Sequence, residues 1–204
     1  MQRIGIIGGT FDPIHTGHLI IAQEAAWRIG LDKVLFVPAG NPPHKRNQQV
    51  TEAYHRLEMV RLAIEGNPLF ELSLVDAERL GYSYTADMLQ ELRLEISDSE
   101  LYFIIGADAA SELVNWYKPE KVLALANLAV VSRPGYSLNL DDLKERFPEI
   151  ESRMVLIDSA MIQLAANQIR QYVQQGEPIR YLVPPSVEAY IYKERLYSPP
   201  ESSK

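Results

Sequence analysis

The chain has 204 residues, 47% hydrophobic and 23% charged, the balance of an ordinary globular protein with one sizeable core. Its formal charge of −7 argues against a nucleic-acid coat but leaves room for a local basic pocket. The absence of cysteine excludes disulfides, thiolate catalysis and Cys-ligated metals, and no signal-like start or apolar run of about 18 residues occurs, so a cytoplasmic protein with no membrane span is expected.

Buried-strand patterns fall at 3–7, 33–37, 70–75, 100–105, 128–132 and 154–157. Helical spacing lies between them. Over 19–29, Ile21, Ala22, Ala25, Ala26 and Ile29 share a face, and Gly30 is a suitable stop. Over 51–65, Leu57, Val60, Arg61 and Ile64 follow the same period, which leaves Arg56 on the exposed side. A helix over 85–95 opens at Thr85, a good N-cap, and another over 165–175 ends before Gly176. Alternating strands and helices predict an α/β fold: a doubly wound, mostly parallel sheet with helices on both faces. Such sheets bind ligands at the carboxyl ends of the strands, where the strand order reverses. Residues 1–197 read as one domain and 198–204 as a frayed tail.

The first loop carries the most chemistry. Gly8 and Gly9 permit close backbone approach, and their amides with that of Thr10 can cradle an anion. Thr16 can cap the following helix, whose positive end faces the same anion. His15 and His18, three apart, lie on one side and can donate to a phosphate whose charge grows in a transition state. Taken singly, the glycine turn is a common sheet feature, and the histidines equally suit a metal pair or satisfied helix residues. The dinucleotide motif G-x-G-x-x-G does not fit residues 5–9, and no G-x-x-x-x-G-K-[ST] occurs.

The string Gly8-Gly9-Thr10-Phe11-Asp12-Pro13-Ile14-His15-Thr16-Gly17-His18 resembles the T/H-x-G-H signature of the nucleotidyltransferase superfamily, and is most similar to its form in bacterial nicotinate-nucleotide adenylyltransferases. That resemblance implies a Rossmann-like fold. It also implies transfer of adenylate from ATP to nicotinate mononucleotide in NAD biosynthesis, with magnesium held by substrate phosphates and water and by no dedicated metal ligands.

Further segments resemble the same family. In Pro38–Lys45, His44 and Lys45 are implied to lie near the phosphates. Arg56-Leu57-Glu58-Met59 matches an R-x-x-M helix. Tyr84-Thr85-Ala86-Asp87-Met88-Leu89 matches Y-T-x-D-T-L, with Met88 for the usual threonine; Thr85 is implied to contact the nicotinate ring. Gly106, Asp108, Trp116 and Tyr117 match a G-x-D…W pattern, Asp108 for ribose hydroxyls and the aromatic pair for the pyridine. Arg133-Pro134-Gly135 also matches, as does the C-terminal segment 184–197.

The family's I-S-[SA]-T-x-I-R motif aligns with Leu164–Arg170. Ile169 and Arg170 are retained, whereas Ala165 and Asn167 replace the serine and threonine. The implied catalytic set is His15, His18, Lys45 and Arg170. ATP is implied to meet Gly8, Gly9, Thr10, Phe11, His15, His18, Gly106, Asp108, Asn167, Ile169 and Arg170. The pyridine mononucleotide is implied to meet Thr10, His44, Lys45, Thr85, Trp116, Tyr117 and Arg133. The partners are then ATP and a pyridine mononucleotide, with no nucleic acid and no membrane; a homo-oligomer is compatible with the sequence. Competing readings are a nicotinamide-mononucleotide or pantetheine-phosphate adenylyltransferase, and a catalytically silent nucleotide-binding protein.

Overall fold

Six strands pair in parallel in the order β3-β2-β1-β4-β5-β6: β1 (Gln2–Gly9), β2 (Lys33–Pro38), β3 (Phe70–Leu72), β4 (Ser99–Gly106), β5 (Asn127–Ser132) and β6 (Met154–Asp158). They belong to a computed structural model in which residues 1–42, 50–79, 81–132, 141–159 and 164–199 are described. Among these, the helices are α1 (Thr16–Ile29), α2 (Ala53–Ile64), α3 (Thr85–Glu95), α4 (Ala107–Ser111), α5 (Pro119–Leu125), α6 (Asp141–Arg146), α7 (Ala166–Gln175) and α8 (Pro185–Lys193).

Alternate strand residues feed two separate apolar layers. Val34, Phe36, Ile104, Ala129 and Val131 pack with residues of α1, α2, α7 and α8. Leu35, Val37, Phe103, Ile105 and Val130 pack with residues of α3 and α5. A parallel strand buried on both faces must be apolar at nearly every position, which is why these strands read as continuous runs. The order reverses between β1 and β4, so the chain leaves the carboxyl end of β1 at the sheet's switch point.

Four expectations need correction. Strand β3 ends at Leu72 rather than 75, because it is the sheet's edge and Leu74 is already exposed. The N-cap of α1 is His15, not Thr16, whose hydroxyl instead donates to the Tyr181 carbonyl at 3.0 Å. The N-cap of α3 is Tyr84, with Thr85 the first helical residue. Arg56, expected at the surface, is 2% exposed, while Arg61 is the exposed one and pairs with Glu58. The inner stripe of α2 runs through 56, 59, 60 and 64, rotated by about one position from the expected one. The short helices α4, α5 and α6 escaped the reading because five to seven residues show no reliable period.

Candidate active site

Strand β1 delivers Gly8 and Gly9 to the switch point, and the chain then turns sharply. Phe11 adopts φ 50°, in the left-handed region. Its ring is 2% exposed and meets His18 edge-on, centroids 5.1 Å apart. A Cβ on Gly9 would lie 3.1 Å from that ring, so glycine is needed there for close approach. Gly17 has a matching role: a Cβ would press on His15 Nδ1 at 3.1 Å. The two imidazoles stack, 3.6 Å between centroids.

One hydrogen bond sets the chemistry of the pair. The His15 amide donates to His18 Nδ1 at 3.2 Å. With Nδ1 accepting, a neutral His18 carries its proton on Nε2 and presents that N–H as a donor. Burial lowers the pKa of His15 to about 4. His18 is held well below 6.5 by burial first and by the neighbouring His15 second. Without a ligand, the pair is therefore neutral at pH 7.

The loop is braced from beneath. Buried Arg56 donates to the carbonyls of Thr51 (2.9 Å), Thr10 (2.9 Å), Ala39 (2.7 Å) and Gly40 (3.2 Å). It thereby ties the loop after β1 to the loop after β2. Burial lowers its pKa, against the opposing pull of Asp12 and Tyr197. Gly40 must be glycine for this approach, since a Cβ would lie 2.6 Å from the Asp76 carbonyl.

A cavity of about 810 Å³ opens at this point. It is lined by Gly8, Gly9, Thr10 and His18 and by the ends of β1, β2 and β4 at Ile7, Val37 and Ile104–Gly106. The same lining holds the aromatic residues Tyr84, Phe103, Trp116 and Tyr117, with Thr85 and Met88; Phe103 and Met88 lie beside Gly8. Tyr84 and Tyr117 rings lie 4.3 Å apart, and Trp116 meets Phe103 edge-on at 6.1 Å. Arg79 pins this wall, donating to Asp76 at 3.0 Å and to the Tyr82 carbonyl at 2.9 Å. A lining that combines backbone amides, an imidazole and flat rings suits a ligand that is anionic in one part and planar in another.

A family model, Cytidylyltransferase-like, matches residues 6–177. A "Probable nicotinate-nucleotide adenylyltransferase" of Thermomicrobium roseum is 47% identical over 197 residues, covering 97% of this chain and 92% of the relative. One from Desulfitobacterium hafniense is 46% identical over 198 residues, covering 96% of each. This chain belongs to the nicotinate-nucleotide adenylyltransferase family. A solved structure of Plasmodium falciparum nicotinic acid mononucleotide adenylyltransferase complexed with NaAD shares its fold, with TM-score 0.77, 20% identity and 97% and 98% of the two chains covered.

For this nicotinate-nucleotide adenylyltransferase family member, the cavity brings together Gly8, Gly9, Thr10, His18, Thr85, Gly106, Trp116 and Tyr117. His15 stands behind His18 as the ring it stacks on. Phe11 does not line the cavity; its buried ring supports His18. Asp108 is exposed in the first turn of α4, next to Ala109 of the cavity wall. Ile169 is a core side chain, 1% exposed, which leaves only its backbone for a ligand. The Asn167 side-chain oxygen accepts from the Gln168 amide at 2.9 Å. Arg170 Nη1 donates to the Asp12 carbonyl at 2.6 Å, and Leu164 lies against Gly17, so α7 starts beside the histidines. His44, Lys45 and Arg133 lie outside the described residues.

The sequence reading missed Asp12, Arg56 and Asp76 as parts of this site. Arg56 had a signal: it stands four and eight positions before Val60 and Ile64, on their face.

Proposed function

We propose that this chain catalyses adenylyl transfer from ATP to nicotinate mononucleotide, forming nicotinate adenine dinucleotide and pyrophosphate in NAD biosynthesis. The observation that carries this reading is the stacked His15–His18 pair at the start of α1, with His18 lining a cavity that also holds Tyr84, Trp116 and Tyr117. An oxygen of the mononucleotide 5′-phosphate attacks the α-phosphorus of ATP in line. The bond from that phosphorus to the bridging oxygen breaks, and pyrophosphate carries away the electron pair. The attacking phosphate is already an anion, so no general base is required. Positioning and charge stabilisation supply the catalysis.

His18 offers its Nε2–H to the α-phosphate, the amides of Gly9 and Thr10 add donors, and Arg170 with Lys45 meets the polyphosphate. Tyr84, Thr85, Trp116 and Tyr117 receive the pyridine. Magnesium enters with ATP, held by phosphates and water. The donor set agrees with this, because the Asp76 carboxylate in the cavity wall is already engaged by Arg79. Among the described residues no helix is long and apolar enough to cross a membrane; an ATP-using biosynthetic role supports a cytoplasmic protein.

Pyrophosphate release with Mg-ATP, offering nicotinate and nicotinamide mononucleotides separately, tests the reading. A strong preference for the acid is expected. Preference for the amide keeps the mechanism and moves the substrate. Silence with both, alongside ATP binding, overturns the catalytic role.

A further inference from the structure

The chain end folds back onto the first loop. Two non-glycine residues close together, Arg195 and Tyr197, hold left-handed backbone conformations, φ 53° and 62°. Such angles are unfavourable for residues with a Cβ and persist where surrounding contacts impose them. Between them, the Leu196 amide donates to the Ile191 carbonyl at 2.9 Å, and Leu196 and Tyr197 pack against the core shared by α1, α2 and α8. The result aims the Tyr197 phenol inward.

Its partner is Asp12, 185 positions earlier. Tyr197 Oη donates to Asp12 Oδ1 at 2.7 Å. The other carboxylate oxygen accepts from the Thr51 amide at 3.2 Å, and the Asp12 carbonyl accepts from Arg170 Nη1 at 2.6 Å. Asp12 is 2% exposed, so these donors stand in for water at its oxygens. One residue thus joins the start of α2, the arginine of α7 and the chain end, three positions before His15.

Apolar packing explains the Tyr197 ring but not its hydroxyl. A phenylalanine would fill the same space and leave Asp12 Oδ1 without its donor. The hydroxyl acts on the loop that carries the histidines and on the carbonyl that aims Arg170. Among the described residues it hydrogen-bonds Asp12 and the Met59 sulfur, neither of which lines the cavity.

We infer that residues 194–199 form a latch on the phosphate loop, with Tyr197 a positioning residue that holds Asp12 so that Arg170 and the histidines converge on the polyphosphate of ATP. This rests on the ATP-using reading above. The latch belongs to the ATP side of the reaction alone.

The test is Tyr197→Phe in the full chain. ATP affinity is measured by calorimetry, and KM separately for ATP and nicotinate mononucleotide. The expected result is an ATP affinity and KM for ATP weaker by about tenfold, the weight of one hydrogen bond to a charged group, with KM for the mononucleotide unchanged. The shift of the thermal midpoint on adding ATP shrinks in step, so a less stable variant still reports. Tyr197→Ala gives the same ATP defect with a lower midpoint, because the ring is lost as well. Unchanged ATP affinity in folded Tyr197→Phe overturns the latch, and so does equal weakening towards both substrates, which would mark general loosening. If the wild-type chain binds ATP but turns over neither mononucleotide, the substrate reading fails while the ratio of ATP affinities still decides the latch.

Discussion

Two helices begin beside the same loop, and they begin in opposite ways. Helix α1 is dressed with side chains: His15 is its N-cap, and His18 reaches back to accept from the His15 amide. Helix α7 starts bare, its N-cap Ala165 having no hydroxyl and Asn167 turned to the adjacent Gln168 amide. Both present the positive end common to helix starts, although the Thr16 amide of α1 already donates to the Leu182 carbonyl at 2.9 Å and the Gln168 amide of α7 to the Ala165 carbonyl and Asn167. The difference teaches how the site divides its labour. Under the proposed mechanism the α1 side offers the His18 ring N–H, its tautomer set by the His15 amide, suited to charge that grows during reaction. The α7 side offers backbone dipole and Arg170, suited to charge already present on a polyphosphate.

The most direct way to break this comparison is His18→Ala. It removes the donor aimed into the cavity while leaving the core intact. The turnover number should fall by about 100- to 1,000-fold, the usual weight of one transition-state donor, with circular dichroism and ATP affinity little changed. Turnover within a few fold of wild type in a folded variant would end the special status of the α1 side.

Arg56→Met attacks the support of the same side. Four carbonyls lose their donor, and the buried charge of Asp12 loses a favourable neighbour. A destabilisation of about 3–5 kcal/mol is expected, in the range for stripping a buried charge of its compensation. Urea unfolding measures it; a loss below about 1 kcal/mol would show that the bracing is incidental.

What the sequence disclosed follows the same division. The α1 side was legible because its parts are contiguous: strand, glycines and both histidines lie within residues 2–18. The four inner strands β2, β1, β4 and β5 were legible because central parallel strands must be apolar on both faces. The bracing was not legible in the same way. Arg56 meets Thr10 across 46 positions and Tyr197 meets Asp12 across 185, and no local period encodes such pairs. The reading of Thr16 as the cap failed because a histidine took that position and a distant carbonyl claimed the hydroxyl.

Acid sharpens the comparison, since only the α1 side carries titrating rings. His15 falls from 6.5 to about 4 in the folded chain, and His18 is also depressed, both mainly by burial. Between those values the unfolded chain binds more protons than the folded one, so stability drops as pH falls. The contribution is whole above about 6.5 and is lost as pH falls towards about 4. For His15 it amounts to about 3 kcal/mol at most. Urea midpoints at stepped pH, for wild type and His15→Asn, isolate it: the difference between the two should change across that window and stay level above it. Bound ATP should blunt the loss, because an anion favours the protonated rings. A difference that is flat across the window would mean that these rings titrate normally.

The smallest expected effect bears on the α7 side. Ala165→Ser restores a hydroxyl at an N-cap whose backbone, φ −123° and ψ 132°, already has the extended form that a capping serine needs. The residue is exposed, so the change meets no packing cost. Without ATP, the hydroxyl caps the first turn and stabilises the chain by about 0.5–1 kcal/mol. With ATP, the same oxygen can instead donate to a phosphate, and the two uses compete. If the bare start of α7 already binds polyphosphate through backbone and Arg170 alone, the ATP affinity of Ala165→Ser should rise by no more than about threefold, well below the factor of ten that 1.4 kcal/mol would give. Calorimetry on both chains separates the outcomes. A gain well beyond tenfold would show that α7 lacks an essential donor. The two helix starts would then differ in completeness rather than in division of labour.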